Sequence, residues 1–345
     1  MNLSDFDYAL PKELIALRPA KERAAARLFA VDRKTGEWRH QIFRDLPNFL
    51  SAGDVLVLND TKVIPARLFA RKPTGGQVEA FLTKRISERR WNALIRPGRR
   101  VRGGMTIYFN RDGVTLQATV LDESTADSGE RVLEFAQGTT FDQIKAVGHV
   151  PLPPYINRPD EPGDRENYQT VFAREEGAVA SPTAGLHFDQ GLLDKLRTLG
   201  VEIVTVTLHV GYGTFQTILT EDLSKHRMHE EEFEVTEAAA ESVNRAKTEN
   251  RRIIACGTTV VRALETCADE SGRVAARRGA TRLFITPPYR FKVPSGMITN
   301  FHLPKSSLLL LVGAFLGWDK TLSAYREAIR RRYHFYSYGD AMLIV

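Results

Sequence analysis

The strongest constraint on the fold is a change of pattern between about residues 66 and 136 of this 345-residue chain. Short β-type runs there are separated by Gly-Gly, Pro-Gly, Asp-Gly and Ser-Gly pairs, which are turn signals. The runs are Val78–Thr83, Asn92–Ile95, Met105–Phe109, Val114–Leu121 and Arg131–Phe135. Short strands at regular spacing with such turns predict a small β-barrel or sandwich.

Both flanks of this segment have the pattern of an α/β protein. Strands are predicted at Asp54–Leu58, Val201–Val210, Arg252–Cys256 and Leu283–Thr286. Helices are predicted after Asp189, over Ala238–Thr248, from Gly257, after Ser306 or Ser307 and after Asp319. Strands that alternate with helices indicate a mostly parallel sheet covered by helices. The sequence therefore predicts an α/β core of residues 1–65 and 150–345, with an antiparallel β-barrel inserted over residues 66–149.

Charge and cysteine content narrow the class of partner and compartment. The formal charge of +6 favours a polyanionic partner, and arginines cluster in the insert and at residues 330–332. The two cysteines form neither a disulfide framework nor a zinc-binding spacing, which indicates a reducing compartment. The N-terminus lacks a signal-peptide pattern, and the longest apolar run, Leu308–Leu316, is far shorter than the roughly 20 residues that span a bilayer. We expect a cytoplasmic protein without a membrane partner.

Three nearly uncharged stretches, rich in small residues and each with one histidine, are the main candidates for a site. They are Gly177–Phe188, His209–Phe215 and Thr299–Ser307. Glycine allows a ligand to approach the backbone closely, and histidine changes its charge near neutral pH. A single histidine in such a stretch is more often a structural group than a catalyst. Their shared surroundings predict that His187, His209 and His302 line one pocket.

Other motifs leave alternatives open. Gly257–Glu265 (GTTVVRALE) opens a helix after a strand, so its first N–H groups either bind an anion or are simply capped. Met228–Phe233 (MHEEEF) is a poor metal motif and is explained by a cationic substrate group or by a solvated turn. The tail Tyr333–Asp340 offers aromatic side chains that either stack on a base or pack on the core. A serine hydrolase is disfavoured because the chain has no GxSxG motif.

Taken together, eight segments resemble the S-adenosylmethionine:tRNA ribosyltransferase-isomerase family of queuosine biosynthesis. They are LVLNDTKVIPARL, GHVPLPPYINR, YQTVFAREEGAVASPTAGLHF, HVGYGTFQTI, MHEEEFEV, GTTVVRALE, TNFHLPKSSLLLLVGAF and YHFYSYGDAMLIV. They follow the family's order from Leu56 to the last residue. The sequence departs from the family at Ser181, where alanine is usual, at Thr217, where proline is common, and at Pro288, where glycine is frequent. None of these departures removes a histidine.

The resemblance implies transfer and isomerisation of the ribosyl part of S-adenosylmethionine onto 7-aminomethyl-7-deazaguanine at the wobble position of a tRNA. The products implied are epoxyqueuosine-tRNA, adenine and methionine. S-adenosylmethionine is then a consumed substrate, and neither a cofactor nor a metal is implied. The partners implied are S-adenosylmethionine and a tRNA with a GUN-type anticodon, and we expect a monomer. The resemblance also implies an α/β core with an inserted β-barrel.

The reaction and the pocket residues together suggest roles. The catalytic group is predicted to be His187, His209, His302 and Thr183. S-adenosylmethionine is predicted to be bound by Gly211, Gly213, Thr214, Gly257, Thr258, Thr259, Arg262 and Asn300. The tRNA and its base are predicted to contact Arg96, Arg99, Arg100, Arg330, Arg331, Tyr336, Tyr338 and Asp340. The competing interpretations are an S-adenosylmethionine-dependent RNA methyltransferase, for which the usual Gly-rich loop is missing, and a non-catalytic RNA-binding protein.

Overall fold

The computed structural model describes residues 2–125, 129–215, 218 and 220–345, and Thr217 lies outside them. The chain divides into two units. The first unit comprises Met1–Thr61, Gln169–Glu175 and Ser181–Val345, and the second comprises Lys62–Tyr168 and Glu176–Ala180. The fold is the expected one, an α/β unit with a closed antiparallel β-barrel inserted in its sequence.

The strands and helices have these bounds. The strands are β1 (Arg27–Val31), β2 (Trp38–Ile42), β3 (Val55–Asn59), β4 (Thr61–Val63), β5 (Arg67–Arg71), β6 (Gln77–Arg85), β7 (Arg90–Arg96), β8 (Thr106–Arg111), β9 (Val114–Thr125), β10 (Glu130–Phe135), β11 (Glu175–Ala178), β12 (Glu202–Leu208), β13 (Glu231–Val235), β14 (Ile253–Cys256), β15 (Arg277–Thr281), β16 (Gly296–Asn300) and β17 (Ala341–Ile344). The helices are α1 (Phe141–Val147), α2 (Asp164–Asn167), α3 (Gln190–Thr198), α4 (Glu237–Thr248), α5 (Thr258–Cys267), α6 (Ser307–Leu316) and α7 (Trp318–Arg330).

The first unit is built on a sheet whose described strands run in the order β15, β13, β12, β3, β14, β16, β17, β1, β2. The central strands β12, β3, β14 and β16 are parallel to one another. β13, β15 and β17 pair antiparallel to their inner neighbours, and β1 pairs parallel to β17. The carboxyl ends of the four parallel strands therefore meet at one edge of the sheet.

Burial on both faces explains the sequence of the central strands. All five residues of β3 (VLVLN) and all four of β14 (IIAC) are buried, which is the pattern of a parallel sheet covered on both sides. Leu56, Ile254 and Ile298 from neighbouring strands pack in one core with Leu192 and Leu196 of α3. Each such side chain contributes about 1.5–3 kcal/mol when it is fully buried.

Local signals place most helix starts correctly. The Asp189 carboxylate accepts a hydrogen bond from the Leu192 N–H at 2.7 Å, and the Ser306 hydroxyl accepts one from the Leu309 N–H at 3.2 Å, so both predicted caps are confirmed. α7, however, begins at Trp318 after Gly317, and the predicted cap at Asp319 is wrong because this residue already lies in the first turn.

The predicted strand at Leu283–Thr286 is also wrong, since the strand in this region is β15, Arg277–Thr281. The Leu283 N–H donates to the Thr281 hydroxyl, and the Leu283 carbonyl accepts from the Arg262 guanidinium. Side chains therefore bind the backbone groups that a sheet ladder would use. Ile285 is buried, which accounts for the apolar pattern that suggested a strand.

The second unit contains the closed barrel, in the strand order β10, β7, β6, β5, β8, β9. Each pair of neighbours is antiparallel. Along β5 and β8, buried side chains alternate with more exposed ones, so Leu68, Ala70, Ile107 and Phe109 point into the core. A separate two-stranded sheet joins β4 and β11.

Within the part of the chain that the structure describes, no single helix is long and apolar enough to cross a membrane, and α6 and α7 pass that test only as a pair bent by 113°.

Candidate active site

The edge where the parallel strands end collects most of the predicted site residues. Asn59 ends β3, His209 follows β12, Gly257 follows β14 and Asn300 ends β16. In open α/β sheets, ligands bind outside the carboxyl ends of the parallel strands.

One hydrogen-bonded group, the histidine–amide cluster (Thr183, His187 and Asn300), joins two of the uncharged stretches. The Thr183 hydroxyl donates to the Asn300 amide oxygen at 2.9 Å, and the Asn300 amide nitrogen lies 3.2 Å from His187 Nε2. Because the amide nitrogen is a donor, Nε2 accepts and the ring proton is on Nδ1. His187 and Asn300 are both buried, and the Phe43 ring packs 5.1 Å from the imidazole centroid.

Burial keeps the His187 imidazole neutral. Desolvation lowers the pKa of His187 to about 4, a shift that the nearby Arg23 charge increases and the Asp340 carboxylate opposes. At neutral pH the ring therefore donates from Nδ1 and carries no charge. This cluster can orient a ligand or take up a proton, but it is not a source of imidazolium.

A second group, the strand-end cluster (Asn59, Thr61, His209 and Thr259), spans β3, β12 and α5. The Asn59 amide nitrogen donates to the Leu208 carbonyl at 2.9 Å and to the Thr259 hydroxyl at 3.2 Å. The Thr61 hydroxyl lies 2.7 Å from His209 Nδ1. Burial lowers the pKa of His209 below its ordinary value, while the Glu232 carboxylate opposes this shift. Sequence reasoning does not identify Asn59 and Thr61 as site residues, although the polar NDT triplet that follows an apolar strand is an available signal.

The start of α5 lies beside the histidine–amide cluster. Gly257 precedes the helix with φ +97°, a left-handed conformation that favours glycine. A Cβ atom added at Gly257 would lie 3.8 Å from Ala184 Cβ, which follows Thr183 in the same turn. Thr258 and Thr259 are buried in the first turn of α5, where backbone N–H groups point out of the helix. An anion bound there would be next to both clusters.

A third group, the arginine–glutamate cluster (Gly211, Thr214, Glu231 and Arg262), contains a buried ion pair. Arg262 Nη1 contacts Glu231 Oε2, and the Arg262 Nε–H donates to the Leu283 carbonyl at 3.0 Å. The other carboxylate oxygen of Glu231 accepts from the Gly211 N–H at 2.9 Å and from the Thr214 hydroxyl at 3.4 Å. The sequence suggests a turn at Glu231, but it is a buried residue of β13 that holds the HVGYGTF segment.

Two further features concern this third group. Arg262 Nη2 is buried and has no hydrogen-bond partner among the described residues. Gly213 faces His229, because a Cβ atom added at Gly213 would come within 2.5 Å of the imidazole Cδ2. A larger residue at position 213 would therefore displace His229 or the segment itself.

His302 is held separately from the histidine–amide cluster. Its ring Nε2 lies 2.7 Å from the Thr299 hydroxyl, and its backbone N–H donates to the Tyr325 hydroxyl at 3.1 Å. Thr299 and Asn300 are consecutive residues of β16, so their side chains point to opposite faces of the sheet. His302 is thereby fixed on the face opposite Asn300, and burial lowers the pKa of His302 to about 3.

The tail residues form an ordered turn. The Asp340 carboxylate is buried and accepts hydrogen bonds from the backbone N–H groups of Arg27 at 2.8 Å and His334 at 2.7 Å. Tyr336 adopts φ +75°, its N–H donates to the Phe301 carbonyl, and burial raises the pKa of Tyr336 to about 12. Tyr338 is buried.

The predicted phosphate contacts lie on exposed surfaces. Arg96, Arg99 and Arg100 are exposed in and after β7 of the barrel. Arg330 and Arg331 are exposed near the end of α7, where both bind the Glu327 carboxylate and lower the pKa of Glu327 to about 2. Among the described residues, no group of three His, Cys, Asp or Glu side chains is arranged to hold a metal ion.

The fold and these clusters define an α/β protein with an inserted barrel, whose sheet edge carries neutral imidazoles, amides and hydroxyls. The chain belongs to the family described as queuosine biosynthesis protein, which matches residues 3–344.

Relatives and a solved structure agree with this family. S-adenosylmethionine:tRNA ribosyltransferase-isomerases of Desulforamulus reducens and Pelotomaculum thermopropionicum are 48% and 49% identical to the chain. Each match covers 100% of this chain and 100% of the relative. The crystal structure of the S-adenosylmethionine tRNA ribosyltransferase of Thermotoga maritima is 38% identical. It matches with a TM-score of 0.55 over 99% of this chain and 100% of the other.

Proposed function

We propose that the protein is an S-adenosylmethionine:tRNA ribosyltransferase-isomerase of queuosine biosynthesis. It transfers and isomerises the ribosyl part of S-adenosylmethionine onto 7-aminomethyl-7-deazaguanine in tRNA and releases adenine and methionine. The observation that carries this proposal is the full-length similarity to enzymes of that name, at 48% and 49% identity. The polar clusters at the sheet edge are the kind of groups that this reaction requires.

The reaction begins with removal of a proton from C5′ of the substrate, which the neighbouring sulfonium makes acidic. We assign this step to His209, the only one of the three predicted histidines whose ring is partly exposed. In this assignment its Nδ1–H donates to Thr61 Oγ1, so that the Nε2 lone pair faces the substrate. A lowered pKa keeps this imidazole unprotonated at neutral pH and therefore able to accept the proton.

Departure of adenine requires a hydrogen-bond donor, and the acceptor amine must be uncharged in order to attack. We assign the donor role to the Nδ1–H of His187, which Asn300 and Thr183 orient through Nε2. A neutral ring also avoids placing a positive charge beside the sulfonium. His302 is assigned a positioning role, since its contacts fix the segment that follows Asn300.

The methionine carboxylate is proposed to bind at the first turn of α5, on the N–H groups of Thr258 and Thr259. Arg262 is paired with Glu231, so its contribution is to hold Gly211 and Thr214 through that carboxylate. Gly213 gives the backbone of this segment its close approach to His229.

For the tRNA, the proposal assigns phosphate contacts to Arg96, Arg99, Arg100, Arg330 and Arg331, which are exposed. Tyr336, Tyr338 and Asp340 are proposed to shape the place of the acceptor base, with Asp340 fixing the turn. The GUN-type anticodon, the monomeric state, the cytoplasmic location and the absence of a cofactor or metal stay predictions.

Product analysis tests the proposal. The protein is incubated with S-adenosylmethionine and a tRNA that carries 7-aminomethyl-7-deazaguanine, and adenine, methionine and the tRNA mass are measured. Equal amounts of adenine and methionine with a ribosyl-derived mass gain are expected. S-adenosylhomocysteine would identify a methyltransferase instead, and tight tRNA binding without any product would identify a binding protein.

The residue roles are tested by alanine variants of His187 and His209, with His40→Ala on the outermost strand β2 as a control away from the carboxyl ends of the four parallel strands. Loss of a general acid–base group typically lowers turnover by about 10²–10⁴-fold. Turnover within a few-fold of wild type in both variants would contradict the assigned roles.

A further inference from the structure

The outer face of the barrel carries two exposed aromatic rings. Phe69 on β5 is 52% exposed and Tyr108 on β8 is 43% exposed. Every other described aromatic side chain of the barrel unit is buried or partly buried. An aromatic ring left in water costs free energy relative to a buried one, so two on the same face indicate a binding surface.

The strand register places these rings among cations. Arg71 on β5 lies directly opposite Tyr108, and Phe69 lies opposite Glu79, which in turn lies opposite Arg96 of β7. All five side chains project from the outer face, because inward-pointing residues alternate with them along each strand. Arg71 and Arg96 are exposed.

These residues line a groove of about 760 Å³ on the barrel. This size lies within the range of roughly 300–1,000 Å³ that is typical of sites for small organic groups, so it accommodates a nucleotide. The floor and walls combine aromatic, cationic and amide side chains, among them Gln77 and Asn110.

The charge around the groove favours a polyanion. Residues 66–111 contain ten arginines and two lysines against two glutamates. One of those glutamates, Glu79, lies in the groove and is paired with Arg67 at 3.2 Å. Its negative charge is therefore compensated, and the surface presented by Arg71 and Arg96 is cationic.

The Phe69 ring is held in place from one side. The His149 imidazole packs against it edge to face at 4.9 Å, and His149 Nδ1 lies 2.6 Å from the Asp160 carboxylate. The other Asp160 oxygen accepts from the Val150 N–H at 3.0 Å. A ring supported in this way is preorganised, so little conformational entropy is lost when a flat ligand stacks on it.

We propose that this groove binds an unpaired nucleotide of the tRNA, with bases stacking on Phe69 and Tyr108 and phosphates contacting Arg71 and Arg96. The proposal rests on the proposed function for the identity of the RNA. Aromatic rings beside cations are the surface on which proteins bind unstacked bases, since every base has a π-face. The excess of ten arginines and two lysines over two glutamates in residues 66–111 favours a polyanion over a neutral protein surface.

The experiment compares tRNA affinity and turnover for Phe69→Ala and Tyr108→Ala, with Trp38→Ala as a control for loss of an exposed aromatic side chain elsewhere. Stacking of one base supports an affinity loss of about 5- to 150-fold in each barrel variant. KM for S-adenosylmethionine and the thermal midpoint should stay unchanged, and Trp38→Ala should bind as wild type does.

Two further variants separate stacking from simple apolar contact. Phe69→Tyr keeps the ring and should bind tRNA within about twofold of wild type, whereas Phe69→Leu should be as weak as Phe69→Ala. Full affinity in Phe69→Leu, or wild-type affinity in both alanine variants, would overturn the inference. If wild type binds tRNA through the groove yet releases no adenine, the proposed function fails while this inference stands.

Discussion

Replacing Glu231 with glutamine is expected to destabilise the first unit strongly, because it removes one partner of a buried ion pair. Glu231 and Arg262 are both buried, and each side chain is only 4–5% exposed. The substitution keeps the shape of the side chain but leaves the Arg262 guanidinium as an uncompensated buried charge. It also weakens the acceptor that binds the Gly211 N–H and the Thr214 hydroxyl.

The expected loss is about 3–5 kcal/mol in the free energy of unfolding, the usual cost of removing one partner of a buried pair. For a unit of this size, that loss lowers the thermal midpoint by roughly 6–20 °C. The matched control is Glu230→Gln, since the neighbouring Glu230 pairs with Arg282 at 3.2 Å on the surface. An exposed pair contributes about 0–1 kcal/mol, so this variant should unfold close to wild type.

The assay is urea unfolding of wild type, Glu231→Gln, Arg262→Met and the double variant. The double variant should be more stable than Glu231→Gln, because removal of the guanidinium also removes the unpaired charge. A loss below about 1 kcal/mol in Glu231→Gln, or a double variant less stable than both single variants, would refute the reasoning. KM for S-adenosylmethionine should rise in Glu231→Gln, since the Gly211–Thr214 segment loses its anchor.

Three other outcomes are expected. The folded pKa of His187 is about 4, below its ordinary 6.5, so the unfolded chain binds the proton first as pH falls. Wild type should therefore lose stability between pH 6.5 and pH 4. His187→Phe should lack this loss when urea unfolding midpoints are measured across the same pH range. Asn300→Leu removes the group that orients His187, so turnover should fall at least about tenfold while tRNA affinity is kept, and unchanged turnover would count against the cluster. tRNA affinity should weaken steeply with salt, and Arg99→Gln with Arg100→Gln should lower the log–log slope by about 0.7–0.9 per lost phosphate contact; a flat response would rule out phosphate binding.

Local pattern is sufficient to predict much of the fold. The five strands predicted for the insert correspond to β6–β10, and the Asp112-Gly113 pair marks the hairpin between β8 and β9. β5 (RLFAR) is not among the predicted strands, since Leu68, Phe69 and Ala70 are all apolar and the sequence does not alternate, although Phe69 is exposed. Helix starts at Asp189 and Ser306 are predictable because a side-chain cap depends on residues only three positions apart.

The candidate site is predictable only in part. Composition identifies the stretches that contain Thr183, His187 and Asn300, but the hydrogen bond between Thr183 and Asn300 joins residues 117 positions apart. The alternation of β16 separates Thr299 from Asn300 and thereby places His302 on the other face. Spacing within one segment carries no information about which distant segment each face meets.

Sequence by itself determined the elements, the inserted barrel and the residue types at the sheet edge, because these follow from contacts within a few positions and from hydrophobic period. Only the tertiary structure decided which side chains lie next to one another. It paired Glu231 with Arg262 rather than leaving a solvated turn, and it set Phe69 and Tyr108 on one outer face. The physical reason is that strand order and register bring together side chains far apart in the chain, and burial then fixes their charge and their hydrogen bonds.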